Sequence, residues 1–205
     1  MIKNIVFDFG DVFINLNKQA TLQALQAHSG NGKVFTESLK NAATQYETGT
    51  LTTEKFTRIY SDHFHISNSE FVAIWNAILL DFPPHRMAFL KSLKSSGKYR
   101  LFLLSNTNEL HISWIQSRWG IKLYEEFKNQ FEQFYLSHEI KMRKPNKDIY
   151  EFVLEENDLK PEETLFIDDT KSNTDTASGL GIHTWNLDPK KDDISNLLER
   201  KEFEI

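Results

Sequence analysis

Five short apolar runs constrain the fold of this chain more than any other feature of its sequence. They are continuous rather than alternating, which is typical of parallel strands covered on both faces. The runs are IVFDF (5–9), LFLLS (101–105), QFYLS (133–137), TLFID (164–168) and IHTWNL (182–187). Helical patterns over 84–98, 146–159 and 171–181 separate several of them. This alternation predicts an α/β fold with right-handed crossovers and a doubly wound parallel sheet.

Residues 16–82 interrupt the alternation. Four helical patterns follow one another there, over 16–28, 35–49, 52–64 and 69–80, and Thr52 is placed to begin the third helix. A helical block after the first strand predicts an insertion that stands over the carboxyl end of that strand. We therefore expect a Rossmann-like core formed by 1–15 and 83–205, with a helical-bundle cap formed by 16–82.

The composition narrows the classes of function. The length of 205 residues suits one domain, or one domain that carries a smaller inserted one. The net charge of −5 comes with no basic stripe that would neutralise a nucleic acid. The chain has no cysteine, so it forms no disulfide or thiolate metal site, which fits a reducing compartment. No segment reaches 18 consecutive apolar residues. We expect a soluble, cytoplasmic protein without a membrane or nucleic-acid partner; the sequence does not indicate its oligomeric state.

Polar residues stand where the predicted strands end. Asp8 follows the first apolar run, Ser105 ends the second, and the pair Asp168 and Asp169 ends the fourth, while Lys144 lies in the loop after the third. Ligands of open α/β sheets bind at the carboxyl ends of the strands. Carboxylates that hold Mg²⁺, a hydroxyl that binds phosphoryl oxygens and a lysine that balances charge suit phosphoryl transfer.

Four motifs in order carry a resemblance to a known family. They are FDFGDVF (7–13), LLSN (103–106), KMRKP (141–145) and FIDDTKSN (166–173). With them the chain resembles the haloacid dehalogenase-like hydrolase superfamily over nearly its whole length. The helical block matches the position of the family's type I cap. The motifs are most similar to the branch that contains sugar-1-phosphate phosphatases and the phosphatase domain of soluble epoxide hydrolases.

The resemblance implies a role for each motif residue. Asp8 would attack phosphorus and form an aspartyl-phosphate that water hydrolyses. Mg²⁺ would be held by Asp8, the backbone carbonyl of Gly10 and Asp169, with Asp168 and Asn173 orienting its waters. Ser105 and the backbone N–H of Asn106 would bind the phosphoryl group, and Lys144 would offset the charge that Asp8 shares with phosphate. The expected substrate is a small phosphorylated metabolite, with sugar phosphates favoured.

Gly10 departs from the pattern of the family's phosphatases. They usually carry a second aspartate at this position, which protonates the leaving group and then activates water, and losing such a group costs about 10²–10⁴-fold in rate. Three explanations follow. In the first, the protein stays a phosphatase, because its leaving group needs little protonation or receives its proton from water, substrate or the cap. In the second, Asp11 replaces the aspartate, and in the third, catalysis is lost. A one-residue shift along an extended chain points the Asp11 side chain elsewhere, which disfavours the second explanation.

Two other functions stay open at this point. Without catalysis, the protein would bind a phosphorylated ligand or a partner. A metal-independent 2-haloacid dehalogenase also lacks the second aspartate, but adjacent Asp168 and Asp169 repel each other unless a cation intervenes, which favours Mg²⁺. The remaining candidates are interpreted as structural. Lys141 and Arg143 are taken as solvated neighbours of Lys144, and the segment YETG (46–49), the tryptophans and most histidines as turns, surface or packing.

Overall fold

The computed structural model describes residues 1–29 and 36–203. Within them, all five predicted strands are confirmed and form one parallel sheet in the order β3-β2-β1-β4-β5. The strands are β1 (Asn4–Phe7), β2 (Arg100–Ser105), β3 (Gln133–Leu136), β4 (Thr164–Asp168) and β5 (His183–Asn186). The doubly wound α/β fold predicted from the sequence is therefore correct.

The central strand sets the edge at which the polar residues meet. In the register of the sheet, Phe7 of β1 stands opposite Leu103 of β2 on one side and Ile167 of β4 on the other. The next residue, Asp8, extends the ladder by donating its backbone N–H to the carbonyl of Ile167 at 2.8 Å. The residues after these three positions therefore share the carboxyl edge of the sheet.

Helices cover both faces of the sheet, as the continuous apolar runs predict. They are α5 (Pro84–Ser95), α6 (Glu109–Trp119), α7 (Ile121–Lys128), α8 (Ser137–Ile140), α9 (Lys147–Glu156) and α10 (Lys171–Ser178). One face is rich in aromatic rings: Phe7, Phe13 and Phe127 are completely buried there. On the other face Val6 and Phe166 pack against helix α9 residues such as Ile149. Alternate residues of one strand thus enter two separate hydrophobic cores.

The interruption at 16–82 contains the four helices that the sequence predicts. They are α1 (Ala20–Ser29), α2 (Glu37–Glu47), α3 (Thr53–Phe64) and α4 (Asn68–Asn76). Thr52 begins α3 as expected, because its hydroxyl accepts the backbone N–H of Lys55 at 3.4 Å. Phe35, where the second predicted helix begins, lies outside the described residues. These helices pack around a hydrophobic cluster of their own, centred on the buried rings of Phe56, Tyr60 and Phe71.

Two paired segments connect this helical block to the sheet. Asn15 donates its backbone N–H to the carbonyl of Asp81 at 2.9 Å, and Leu80 donates to the carbonyl of Asn15 at 3.0 Å. Leu16 and Leu79 form an isolated antiparallel bridge beside them. The outgoing and returning chains therefore leave the sheet side by side, directly after the Asp8 loop. No helix in the described ranges is long and apolar enough to cross a membrane.

Candidate active site

Lys144 lies at the centre of the site and is almost completely buried. Its ammonium group donates to Asp8 Oδ1 at 2.7 Å, to Asp168 Oδ2 at 2.6 Å and to the Leu104 carbonyl at 2.7 Å. An ammonium has three N–H donors, so each one has a partner. A buried charge needs this complete pairing to be tolerated. The arrangement holds the Asp8 carboxylate at a fixed place on the sheet edge.

Asp168 is held from several sides and contacts no solvent. Besides binding Lys144, it accepts the backbone N–H of Thr170 at 2.8 Å, and both its oxygens lie 3.0 Å from the Asn173 amide nitrogen. Asn173 is itself fixed, because its carbonyl accepts the Tyr150 hydroxyl at 3.0 Å. Both Asp168 oxygens are therefore occupied by protein donors, so this carboxylate positions its neighbours.

Asn106 fixes the backbone of Lys144 with a two-way contact. Its side-chain amide donates to the Lys144 carbonyl at 2.8 Å, and its amide oxygen accepts the Lys144 N–H at 2.9 Å. The sequence interpretation gave Asn106 a role through its backbone N–H only, and it missed this use of the side chain. The amide in the LLSN motif thus joins the loop after β2 to the loop that carries the lysine.

The site has the donors that a divalent cation requires. Oxygens of Asp8, Asp168 and Asp169 lie within 4.8 Å of one another. Since protein donors occupy Asp168, Asp8 and Asp169 are the carboxylates that fit Mg²⁺, a cation that prefers oxygen ligands. Asp169 is already in contact with one cation, the ammonium of Lys18. Gly10 lines the same cleft as these carboxylates.

Burial and pairing shift the pKa values of Asp8 and Lys144. It raises the pKa of Asp8 to about 7; Lys144 opposes this effect, and the nearby Asp168 adds to it. Burial on its own would lower the pKa of Lys144, but Asp168 and Asp8 outweigh it and hold that pKa above its ordinary value. The pKa of Asp169 is also raised, mainly by burial. These crowded carboxylates favour a further positive charge in the cleft.

The cleft itself has a volume of about 360 Å³. Six of the predicted site residues line it, namely Asp8, Gly10, Asn106, Lys144, Asp169 and Asn173. Ser105 lines an adjoining chamber of about 130 Å³ that shares Gly10 and Asn106 with the cleft. The structure therefore brings all eight predicted residues to one place, with Asp168 directly behind Lys144.

Comparison with known proteins decides the family. The family model of the haloacid dehalogenase-like hydrolases matches residues 2–181. This chain belongs to that family.

Relatives in the family agree with the match. The chain is 27% identical to D-ribitol-5-phosphate phosphatase of Bacteroides thetaiotaomicron over 90% of this chain and 91% of the relative. It is 32% identical, with a TM-score of 0.82, to a magnesium complex of the HAD family enzyme BT-2542 from the same organism, covering 97% and 99% of the two chains. An aspartate-to-alanine variant of BT-2542 in complex with magnesium and inorganic phosphate is 30% identical, with a TM-score of 0.81, covering 98% and 100%.

The helical block at 16–82 of this haloacid dehalogenase-like hydrolase reaches the cleft through Glu47, the last residue of α2. The Arg143 guanidinium donates to Glu47 Oε2 at 3.1 Å, and both side chains line the cleft. This corrects two interpretations from the sequence, since Glu47 is more than part of a turn and Arg143 is half-buried rather than solvated. A motif search could not reveal the pair, because its members belong to different parts of the fold.

Asp11 lies outside the hydrolase's cleft, as the one-residue shift predicts. Its backbone is left-handed, with φ 54°, and its carboxylate accepts the Leu16 N–H at 2.9 Å. The same carboxylate contacts the Lys18 ammonium at 3.0 Å. Asp11 faces a neighbouring, more open depression that also contains Asp169. It therefore shapes the loop after β1 and does not replace the missing aspartate.

Proposed function

We propose that this chain is a Mg²⁺-dependent phosphomonoester hydrolase that acts on small sugar or polyol phosphates through an aspartyl-phosphate on Asp8. One observation carries the proposal: the Asp8 carboxylate is held by Lys144 at the wall of a cleft that also contains Asp169. Family membership supports it, as do a relative named for hydrolysing a sugar-alcohol phosphate and a relative crystallised with magnesium and phosphate.

The site residues divide the work of phosphoryl transfer. Asp8 attacks phosphorus, and the leaving oxygen departs on the opposite side, since such displacements are in line. Ser105 and the N–H of Asn106 bind phosphoryl oxygens at the ends of their strand and loop. Lys144 balances the charge of Asp8 and the phosphoryl group. Water then hydrolyses the aspartyl-phosphate and frees Asp8 for another turnover.

The metal would be held by Asp8, the backbone carbonyl of Gly10 and Asp169. Asp168 and Asn173 would orient its ligands from behind, in keeping with their full use of protein hydrogen bonds. When bound, Mg²⁺ would neutralise charge on the phosphoryl oxygens and thereby reduce their repulsion of an anionic nucleophile. Because a backbone carbonyl serves as well in glycine as in aspartate, the residue type at position 10 does not prevent metal binding.

The helical block at 16–82 would act as the cap that covers the cleft and selects the leaving group. A cleft of about 360 Å³ suits a small metabolite.

The cytoplasm stays our expected location, which the cysteine-free composition supports.

A panel of phosphorylated metabolites tests the proposed function. Phosphate release is measured with Mg²⁺, with EDTA, and in Asp8→Asn, with Asp62→Asn as the control because Asp62 is an exposed cap residue. We expect metal-dependent release that falls by roughly 10⁴-fold or more in Asp8→Asn, as when a catalytic nucleophile is removed. The control should keep the wild-type rate.

Three outcomes would contradict the proposal. Phosphate release that persists in EDTA would exclude Mg²⁺ as the cofactor. Binding of panel members without turnover would indicate a phosphate-binding protein that has lost catalysis. Release of halide from 2-haloacids in EDTA would indicate a dehalogenase.

A further inference from the structure

The proposed reaction needs an acid–base group that the residues at the sheet edge do not provide. When Asp8 attacks phosphorus, the leaving oxygen of an alkyl phosphate departs as a basic alkoxide unless an acid protonates it. In the second step the attacking water occupies the same position, opposite Asp8, and must lose a proton. One acid–base group that faces this position can serve both steps. Gly10 has no side chain to provide it.

The ionisable side chains that line the cleft leave few candidates. Asp8 is the nucleophile and Asp169 a metal ligand, and Lys144 is buried between carboxylates. The other ionisable residues of this lining are Lys18, Glu47 and Arg143. Lys18 is held by the carboxylates of Asp11 and Asp169 at the outer side, and a guanidinium does not release its proton in proteins. Glu47 is the remaining candidate in this lining, and His111, which lines the adjoining chamber, has its ring nitrogens in contact with Asn108 and the Trp75 carbonyl.

Two hydrogen bonds from the core fix the backbone and side chain of Glu47, and a close approach of the neighbouring backbone supports them. The buried Ser137 hydroxyl donates to the Glu47 carbonyl at 2.6 Å, and Arg143 donates to its carboxylate at 3.1 Å. Two residues later, Gly49 has a left-handed φ of 62° and lies so close to the core that a Cβ would be 2.0 Å from the His138 carbonyl oxygen. The end of α2 is therefore seated on the core at a defined place.

The position of Glu47 suits a group that meets the leaving oxygen. It lines both the catalytic cleft and the adjoining chamber, at the part that they share with Gly10. Apolar side chains of Leu16 and Ile78 border the same place. Burial raises the pKa of the Glu47 carboxyl even though Arg143 acts in the opposite direction. This environment favours a carboxyl group that can hold a proton.

We propose that Glu47 of the cap is the general acid and base that replaces the aspartate absent at position 10, an inference that rests on the proposed phosphatase function. In the first step Asp8 forms a bond to phosphorus, the bond from phosphorus to the leaving oxygen breaks, and the Glu47 proton moves to that oxygen to give an alcohol. In the second step the Glu47 carboxylate takes a proton from water while the water oxygen forms a bond to phosphorus. The bond between Asp8 and phosphorus then breaks, which releases phosphate and restores both carboxyl groups.

The leaving group provides a sharp test. Hydrolysis of p-nitrophenyl phosphate releases a stable phenolate that needs no proton, whereas D-ribitol 5-phosphate releases an alkoxide. We expect Glu47→Gln to slow the alkyl substrate by about 10²–10⁴-fold. In a single turnover, the same variant should slow release of the aryl leaving group by less than about threefold, because that leaving group needs no acid, whereas the second step needs Glu47 as base with either substrate. Glu37→Gln is the matched control, since Glu37 begins the same helix and its side chain is 89% exposed.

Two further measurements keep the result interpretable. Thermal melting shows whether Glu47→Gln is folded, and Glu47→Asp retains a carboxyl group, so its alkyl rate should lie between those of the wild type and Glu47→Gln. Equal slowing of leaving-group release from both substrates in single turnovers of a folded variant would overturn the role of Glu47 and leave the proposed function intact. If Glu47→Gln does not fold, equal slowing in Glu47→Asp would overturn it. A wild-type protein without Mg²⁺-dependent hydrolysis of either substrate would overturn both proposals.

Discussion

The two sides of the cleft are built in different ways. On the core side, each donor of Lys144 has a protein acceptor, and both oxygens of Asp168 are occupied. On the cap side, Glu47 and Arg143 share one hydrogen bond, and Arg143 Nε is buried without a partner among the described residues. A saturated network resists change, whereas a pair joined by a single hydrogen bond can rearrange around a ligand. We therefore expect the core side to bind the constant phosphoryl group and the cap side to meet the variable leaving group.

The largest effect on this contrast should come from removing the central cation of the core side. Lys144→Met leaves Asp8 and Asp168 buried without their partner, so we expect a loss of about 3–5 kcal/mol in the free energy of unfolding. Urea unfolding in EDTA measures it, with Lys147→Met as the control because that lysine is exposed. A loss no larger than in the control would mean that the ammonium does not hold the two carboxylates together.

An aspartate at position 10, on the core side, should make the Glu47 carboxyl group dispensable for hydrolysis. In a Glu47→Gln background, Gly10→Asp should restore hydrolysis of the alkyl phosphate by about tenfold or more, because it supplies an acid beside the leaving oxygen. In the wild type it should change that rate little. The new Cβ would lie 2.7 Å from Leu16 Cδ1, the end of a flexible side chain that can shift.

Kinetics with the alkyl and aryl substrates measure this rescue. Gly10→Ala is its control, since it introduces the same contact with Leu16 without an acid. A tenfold rise of the alkyl rate in the Gly10→Asp single variant would mean that the wild type lacks a proton donor and that Glu47 does not act as one.

The smallest effect is a change in stability with pH at the contact between the two sides. There, His111 of α6 stacks on Trp75 of α4 at 5.6 Å between ring centroids. Burial lowers the pKa of His111 to about 4. Between about pH 6.5 and 4 the unfolded chain therefore binds the extra proton, so stability rises with pH in that window. We expect His111 to contribute a loss on the order of 1 kcal/mol as the pH falls through it, discounted for partial exposure.

Urea unfolding at several pH values checks this contribution as a difference between variants. His111→Gln should lose less stability than the wild type on acidification, whereas His63→Gln, at an exposed position of α3, should follow the wild type. Parallel pH profiles for His111→Gln and the wild type would contradict the pKa assigned to His111.

The core side could be predicted from the sequence because it follows the sheet. Each of Asp8, Ser105 and Asp168 stands at or directly after the end of a strand, and parallel strands bring their carboxyl ends together. The cap side could not be predicted in this way. Whether Glu47 faces the cleft depends on how α2 docks on residues 137–143, which no local pattern encodes. The Asn106 clamp was missed for the same reason, since its partner is the backbone of another loop.

The meeting of Gly49 with the His138 carbonyl has a consequence for exchanging modules between related enzymes. The contact joins backbone to backbone, so it depends on a missing side chain in the insertion and is indifferent to the side chain at the receiving position. A foreign insertion that carries a glycine at this point can seat on the sheet-bearing part. An insertion with any larger residue at this point would be held away from the sheet-bearing part by the clash with the carbonyl, however well the rest of its surface fits.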